Sequence, residues 1–442
     1  IGPASNSPAC FTMLSGRWPP PATAFATFVN DAHGVPSPLI LRSPRPATEH
    51  VTIHRRAQPG SFPTLVHLLR PGASGQDELL ACRAACEIPN VHHLVWLIGN
   101  TRDERDARSL GLRISARFSP RAANLGPIAR LVRPGGAMMP HANRLDASAQ
   151  VLCWGTPTLD IARALRIPIA AAVLLDSRDI RTTDLHRTPA IAFCNAIASA
   201  WRTHGHQVAV LTPPYDLLSD GEWLARRQET RTALGIRGDE VVVSLLSDPV
   251  RDGDARRFAW VTGLLQVAGI RAVGICAHES SQLQRAARYI RTHGRHWEVI
   301  AFDGPPAAAL PAADLVMWNV DPSRVAGMDV PPRGSAGGAG LLSAMMAARH
   351  GVPVFSPIDP ASDEFLGTIA PELLATAATM PALGACAVPL LSDPHRRAAV
   401  GQRLASHLAA PSKFVDSLAR KLGLAEPRSG ANALPHGELA HA

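Results

Sequence analysis

The feature that most constrains this chain is an alternation. Apolar runs too continuous for one-sided strands are separated by helical stretches of about ten residues. Such runs occupy 64–69, 93–98, 150–154, 169–175 and 190–194, with shorter strand-like pieces at 112–118 and 207–211. Helical character falls between them, at 76–87, 103–110, 125–132, 158–165 and 195–203, with Asn195 reading as the N-cap of its helix. Strands apolar on both faces belong to a parallel sheet covered by helices on both sides. The pattern predicts a doubly wound domain over 62–212.

The alternation then repeats. Pro213-Pro214 breaks the chain, and 213–238 reads as a polar, helical linker carrying Arg226, Arg227, Glu229 and Arg231. Strands are expected at 241–246, 271–276, 297–302, 315–318 and 352–356, with helices at 255–268, 280–292 and 341–349 and helical character over 392–422. This predicts a second doubly wound domain over 239–424, followed by a polar tail, 425–442. Residues 1–61 hold ten prolines and little periodicity and read as an irregular extension, apart from a short helix across 22–30. A chain of 442 residues, 46% of them hydrophobic, can fill two cores. The expected fold class is α/β: two Rossmann-like parallel-sheet domains facing a cleft. Open parallel sheets bind ligands beyond their strand C-termini, so the cleft is the expected site.

Composition excludes several classes. The formal charge of +8 rests on arginines spread along the chain, with lysine only at Lys413 and Lys421. No basic block, aromatic RNA-binding strand or zinc-finger spacing points to nucleic acid. The seven scattered cysteines suggest no disulfide framework and fit a reducing, cytoplasmic setting. Cys82 and Cys86 stand at i, i+4 on an expected helix and could share a metal, but the sequence places no second ligand pair near them. No metal site is therefore expected. Among the 18 histidines none forms a His-Glu-x-x-His pair, and His92-His93, at a strand entrance, reads as structural. No apolar run reaches bilayer length and no signal segment is visible, which leaves only peripheral membrane contact open.

The local feature with most chemistry is Gly334-Ser-Ala-Gly-Gly-Ala-Gly340, which runs directly into a helix at Leu341. Glycines let backbone approach a ligand closely, and a helix start offers free N–H groups and a positive dipole end. Gly337, Gly338, Gly340 and Leu341 are thus candidates to hold a diphosphate. Gly72, Ser74 and Gly75 form the equivalent strand-to-helix turn of the first domain, which is neither a Walker loop nor a dinucleotide fingerprint. Arg251, after the first strand of the second domain, could neutralise phosphate. Asp176, at the end of a first-domain strand, could contact an acceptor or simply cap the next segment.

Over roughly 62–424 these residues resemble the GT-B glycosyltransferases of family 4. Five stretches carry the likeness: Leu65-Val-His-Leu-Leu-Arg-Pro-Gly-Ala-Ser-Gly75; 190–216, ending Val208-Ala-Val-Leu-Thr-Pro-Pro-Tyr-Asp216; 231–243; Leu310-Pro-Ala-Ala-Asp-Leu315; and 337–348 with Gly351-Val-Pro-Val354. The resemblance implies a nucleoside-diphosphate sugar on the second domain and an unknown glycan, lipid or small-molecule acceptor on the first. It implies transfer with retention, no metal and no cofactor. The chain departs from the family at its polar site. Gly337 and Met345 stand where the family usually has two glutamates, Leu246-Ser-Asp248 replaces a Gly-Arg pair, and Leu175-Asp176 replaces a His-Asp pair. Two functions follow: a sugar transferase, or a non-catalytic protein of the same fold that binds a nucleotide, glycan or partner. A sugar-nucleotide epimerase would need a carboxylate cluster that the sequence does not display.

Overall fold

The computed structural model describes residues 62–71, 77–120, 138–175, 187–246, 254–277, 298–302, 304–318, 340–376 and 379–424, with isolated positions between them. The expected helices at 22–30, 125–132 and, bar single positions, 280–292 lie outside these residues.

The first sheet has seven strands in the order β3-β2-β1-β4-β5-β6-β7. They are β1 (Thr64–Leu69), β2 (His92–Ile98), β3 (Ala116–Phe118), β4 (Gln150–Trp154), β5 (Ile169–Leu174), β6 (Ala190–Ala192) and β7 (Val208–Val210). Each neighbouring pair is parallel. β1 is buried along its whole length, as a strand covered on both faces must be. The order turns between β1 and β4, the switch point at which open sheets of this kind take ligands. β3 is shorter than the run at 112–118 suggested, because only its last three residues pair in register with β2.

The second sheet has six strands, β10-β9-β8-β11-β12-β13, again with each neighbouring pair parallel. These are β8 (Val241–Leu245), β9 (Ala272–Ala277), β10 (Glu298–Phe302), β11 (Leu315–Met317), β12 (Val354–Pro357) and β13 (Leu374–Ala375). Its switch point lies between β8 and β11.

The helix Asp220–Ala233, within the expected linker, is fastened to the second sheet. Arg227 and Arg231 both reach the Asp314 carboxylate, at 2.6 and 3.2 Å, and Asp314 also accepts from the Val242 N–H at 2.8 Å. Each guanidinium takes one carboxylate oxygen and also donates to backbone carbonyls, and partly buried charge-assisted bonds of this kind fix orientation as well as supplying energy. Asp314, one of the residues of the family-like stretch 310–315, is therefore a structural hub. The helical region expected at 392–422 is two helices, Pro394–His407 and Phe414–Lys421. The second of these crosses to the first domain: Phe414 meets Phe193 edge-on at 5.8 Å between ring centroids. Tyr215 Oη donates to the Ala410 carbonyl at 2.8 Å, and Ser412 Oγ donates to the Pro213 carbonyl at 2.9 Å. One continuous apolar cluster runs through both sheets and this crossing.

Candidate functional site

The second-domain helix Leu341–Arg349 starts where the sequence expected it, and its start has the backbone an anion site needs. Gly340 is its N-cap, with φ at +86° in the left-handed region. A side chain there would be strained, and its Cβ would come within 3.0 Å of the Trp318 ring. Trp318 is buried directly after β11, so its indole forms the floor under the helix start. Leu341 is buried, as are Leu342 and Ser343. The far end of the helix is held by His350, whose ring stacks on Trp223 at 4.2 Å between centroids and whose Nδ1 lies 3.0 Å from the Asp220 carboxylate.

The helix start carries an anion supplied by the chain itself. Asp77, in the first turn of the first-domain helix Asp77–Ala85, reaches across the domain boundary. Its carboxylate accepts from the N–H groups of Leu342 and Ser343 at 3.1 and 3.2 Å and from Ser343 Oγ at 2.9 Å. Only 1% of Asp77 is exposed. Burial pushes its carboxyl up to about 6, against hydrogen bonds from Ser343, Leu342 and Gly340 that pull it down. A carboxylate at a helix N-terminus uses the same donors and dipole that would receive a phosphate.

A second carboxylate crosses the boundary in the opposite direction. Glu364, on the second-domain helix Pro360–Leu366, accepts from the N–H groups of Asn195 and Ala196 at 2.9 and 2.7 Å and from Asn195 Nδ2 at 3.0 Å. Asn195 was expected to cap its own helix. It is instead the first helical residue, with Cys194 at the N-cap position making no side-chain capping bond, so a partner from the other domain takes the capping role.

Of the residues singled out from sequence, Gly340 and Leu341 are placed as described. Gly72, Ser74, Gly75, Asp176, Arg251, Gly337 and Gly338 lie outside the described residues. Met345 packs half-buried against the apolar cluster. Asp77, Ser343 and Glu364 were missed. Asp77 and Glu364 look in sequence like ordinary acidic residues of a first helical turn and a short helix, and their partners stand 266 and 169 positions away.

With this geometry, no family model matches the chain, and no curated protein matches it by sequence. Solved structures do match. HepE of Anabaena, in complex with UDP and glucose, is 14% identical, with a TM-score of 0.59 over 82% of this chain and 99% of that one. WaaG, a glycosyltransferase involved in lipopolysaccharide biosynthesis, is 12% identical, with a TM-score of 0.52 over 81% and 99%. The chain has the GT-B fold. UDP-GlcNAc 2-epimerase from Neisseria meningitidis, bound to UDP-GlcNAc, matches at 11% identity and a TM-score of 0.52 over 81% and 98%, so this GT-B scaffold is common to more than one chemistry. Among the described residues of the GT-B chain, no helix is long and apolar enough to cross a membrane.

Proposed function

We propose that this GT-B protein binds a nucleoside-diphosphate sugar on its second domain and transfers the sugar to an acceptor held by the first. The observation that carries the reading is the start of helix Leu341–Arg349. Two N–H groups and a hydroxyl there already hold a buried anion, at the switch-point side of the second sheet. Structural neighbours with UDP or UDP-sugars bound support the same ligand class. In this reading the diphosphate takes the place of the Asp77 carboxylate. The helix dipole and Arg251 then stabilise the charge that develops on the leaving diphosphate, without a metal and with retention at the anomeric carbon.

Two anions cannot share one set of donors in a buried site, so Asp77 and the donor compete. The ligand-free chain is then a closed state, and donor binding begins with withdrawal of Asp77. A specific observation also favours a second reading, a non-catalytic GT-B protein: the anion position is filled by the chain's own carboxylate, and Met345 offers no carboxylate to a ribose or sugar hydroxyl.

Calorimetry with UDP-, GDP- and ADP-sugars on the wild type and on Asp77→Ala separates the two. The transferase reading expects one nucleotide to bind, with at least about tenfold higher affinity in Asp77→Ala, equivalent to about 1.4 kcal/mol of relieved competition. It is abandoned if both proteins are folded and neither binds any of the three donors.

A further inference from the structure

The helix that carries Asp77 at its start carries two cysteines at its other end, and the fold supplies what the sequence withheld. His67 sits in the middle of β1 and is fully buried. His93 enters β2 two positions before Val95, the residue paired with His67, so the two imidazoles project from the same face of the sheet. Cys86 closes the last turn of helix Asp77–Ala85, its N–H bonding the Cys82 carbonyl at 3.0 Å. One ligating atom each from His67, Cys86 and His93 lies within 4.8 Å of the others. Cys82, one turn earlier on the same helix, is fully buried and lies outside this cluster.

We propose that His67, Cys86 and His93 form a site for a zinc-class divalent cation. One thiolate and two imidazoles are donors such an ion selects over harder metals, and the fourth position would be left to a non-protein ligand such as water. The spacing suits it. His67 Nε2 and His93 Nδ1 face each other at 2.9 Å. Tetrahedral zinc, with Zn–N about 2.0 Å and Zn–S about 2.3 Å, separates its ligand atoms by about 3.3–3.8 Å, so the imidazoles part by about half an ångström.

The outer contacts already prepare one ligand. His93 Nε2 lies 3.0 Å from the Ile88 carbonyl, which fixes the proton there and leaves Nδ1 as a lone pair aimed inward. A backbone carbonyl behind a ligating imidazole is a common second contact in metal sites. The proton between the two rings is the one the cation replaces. His67 moves it from Nε2 to Nδ1 and gives up acceptance from Trp154 Nε1, which at 3.3 Å is the longest link in the chain. Cys86 releases its thiol proton as it ligates. The ion would join β1, β2 and the end of helix Asp77–Ala85, fixing the seat of the helix that presents Asp77.

The test uses the full-length chain. Purified protein is analysed for bound metal by mass spectrometry. It is then stripped with a chelator, checked for folding by circular dichroism, and titrated with cobalt(II), which reports cysteine ligation by a near-ultraviolet charge-transfer band. Expected are about one zinc per chain, a lower thermal midpoint after chelation, and a cobalt–thiolate band that Cys86→Ser and His93→Gln abolish. Cys386→Ser, in the second domain, should leave the band intact. A folded wild type that retains no zinc and shows no cobalt–thiolate band overturns the site, as does a band that survives Cys86→Ser.

Discussion

Two carboxylates cross between the domains, each to the start of the other domain's helix, and each caps it through hydrogen bonds of ordinary length. They differ in where they do it. Asp77 is buried, and the helix it caps follows a left-handed glycine over an indole floor. Glu364 is exposed, and it caps a helix with no such loop before it. In water, donors at a helix start are already solvated, so an exposed cap contributes little and serves as a clasp. In the buried pocket the same donors are unsatisfied without an anion, and the anion is costly without them. Of the two, only the Asp77 arrangement couples buried donors to a buried carboxylate, which is what the proposed exchange requires.

The largest effect is expected from Gly340→Val, which attacks the buried member of the pair. A β-branched residue in the left-handed region costs about 1–2 kcal/mol, and displacing the Trp318 ring adds about 1–3 kcal/mol. Urea unfolding should show a loss of about 3 kcal/mol, and donor binding should vanish with it. A loss below about 1 kcal/mol would mean that the helix start is not held as tightly as its contacts imply.

The next effect is a pH dependence. Asp77 binds its proton more tightly when buried than in the unfolded chain, since its carboxyl is raised from its ordinary value to about 6. Its contribution to stability is thus fully present below about 4 and is lost as pH rises through about 6. Wild type should gain about 2 kcal/mol relative to Asp77→Asn between about pH 7 and pH 4, by linkage at about 1.4 kcal/mol per pKa unit. The closed arrangement is favoured on the acid side, so donor affinity should fall there in the wild type and not in Asp77→Asn. Urea midpoints and calorimetry at the two pH values check both statements. Parallel pH curves for the two proteins would show that Asp77 does not govern the closure.

The same contrast explains what could be read from the sequence. The strands were legible because burial on both faces leaves a local mark: 151–154 is apolar throughout, and 65–69 is apolar but for His67. The start of helix Leu341–Arg349 was legible because a left-handed N-cap favours glycine, and glycine at Gly340 is visible without any partner. The carboxylates that complete these helix starts were not legible, since an aspartate in a first turn suits the dipole of its own helix equally well. The surroundings of Cys86 were illegible for the same reason: its spacing from Cys82 was plain, but His67 and His93 come to it through the β1–β2 pairing. Local backbone demands leave a residue type behind, whereas long-range partnerships leave only a polar residue with several explanations.

The smallest effect should come from Glu364, and it is the sharpest check on the comparison. Glu364→Gln keeps the length of the side chain and one acceptor oxygen while removing the charge. An exposed charge at a helix N-terminus is worth about 0.5 kcal/mol, and salt screens it. Urea unfolding of Glu364→Gln should therefore differ from wild type by about that amount at low salt, and the difference should shrink in high salt. Donor affinity should be unchanged within about twofold, because the clasp neither needs an exchangeable anion nor blocks one. If Glu364→Gln instead costs as much as the Asp77 substitutions, or alters donor binding as they do, exposure is not what separates the two sites. Both carboxylates would then act as one interdomain lock, and the competition proposed at the helix start would have to be shared between them.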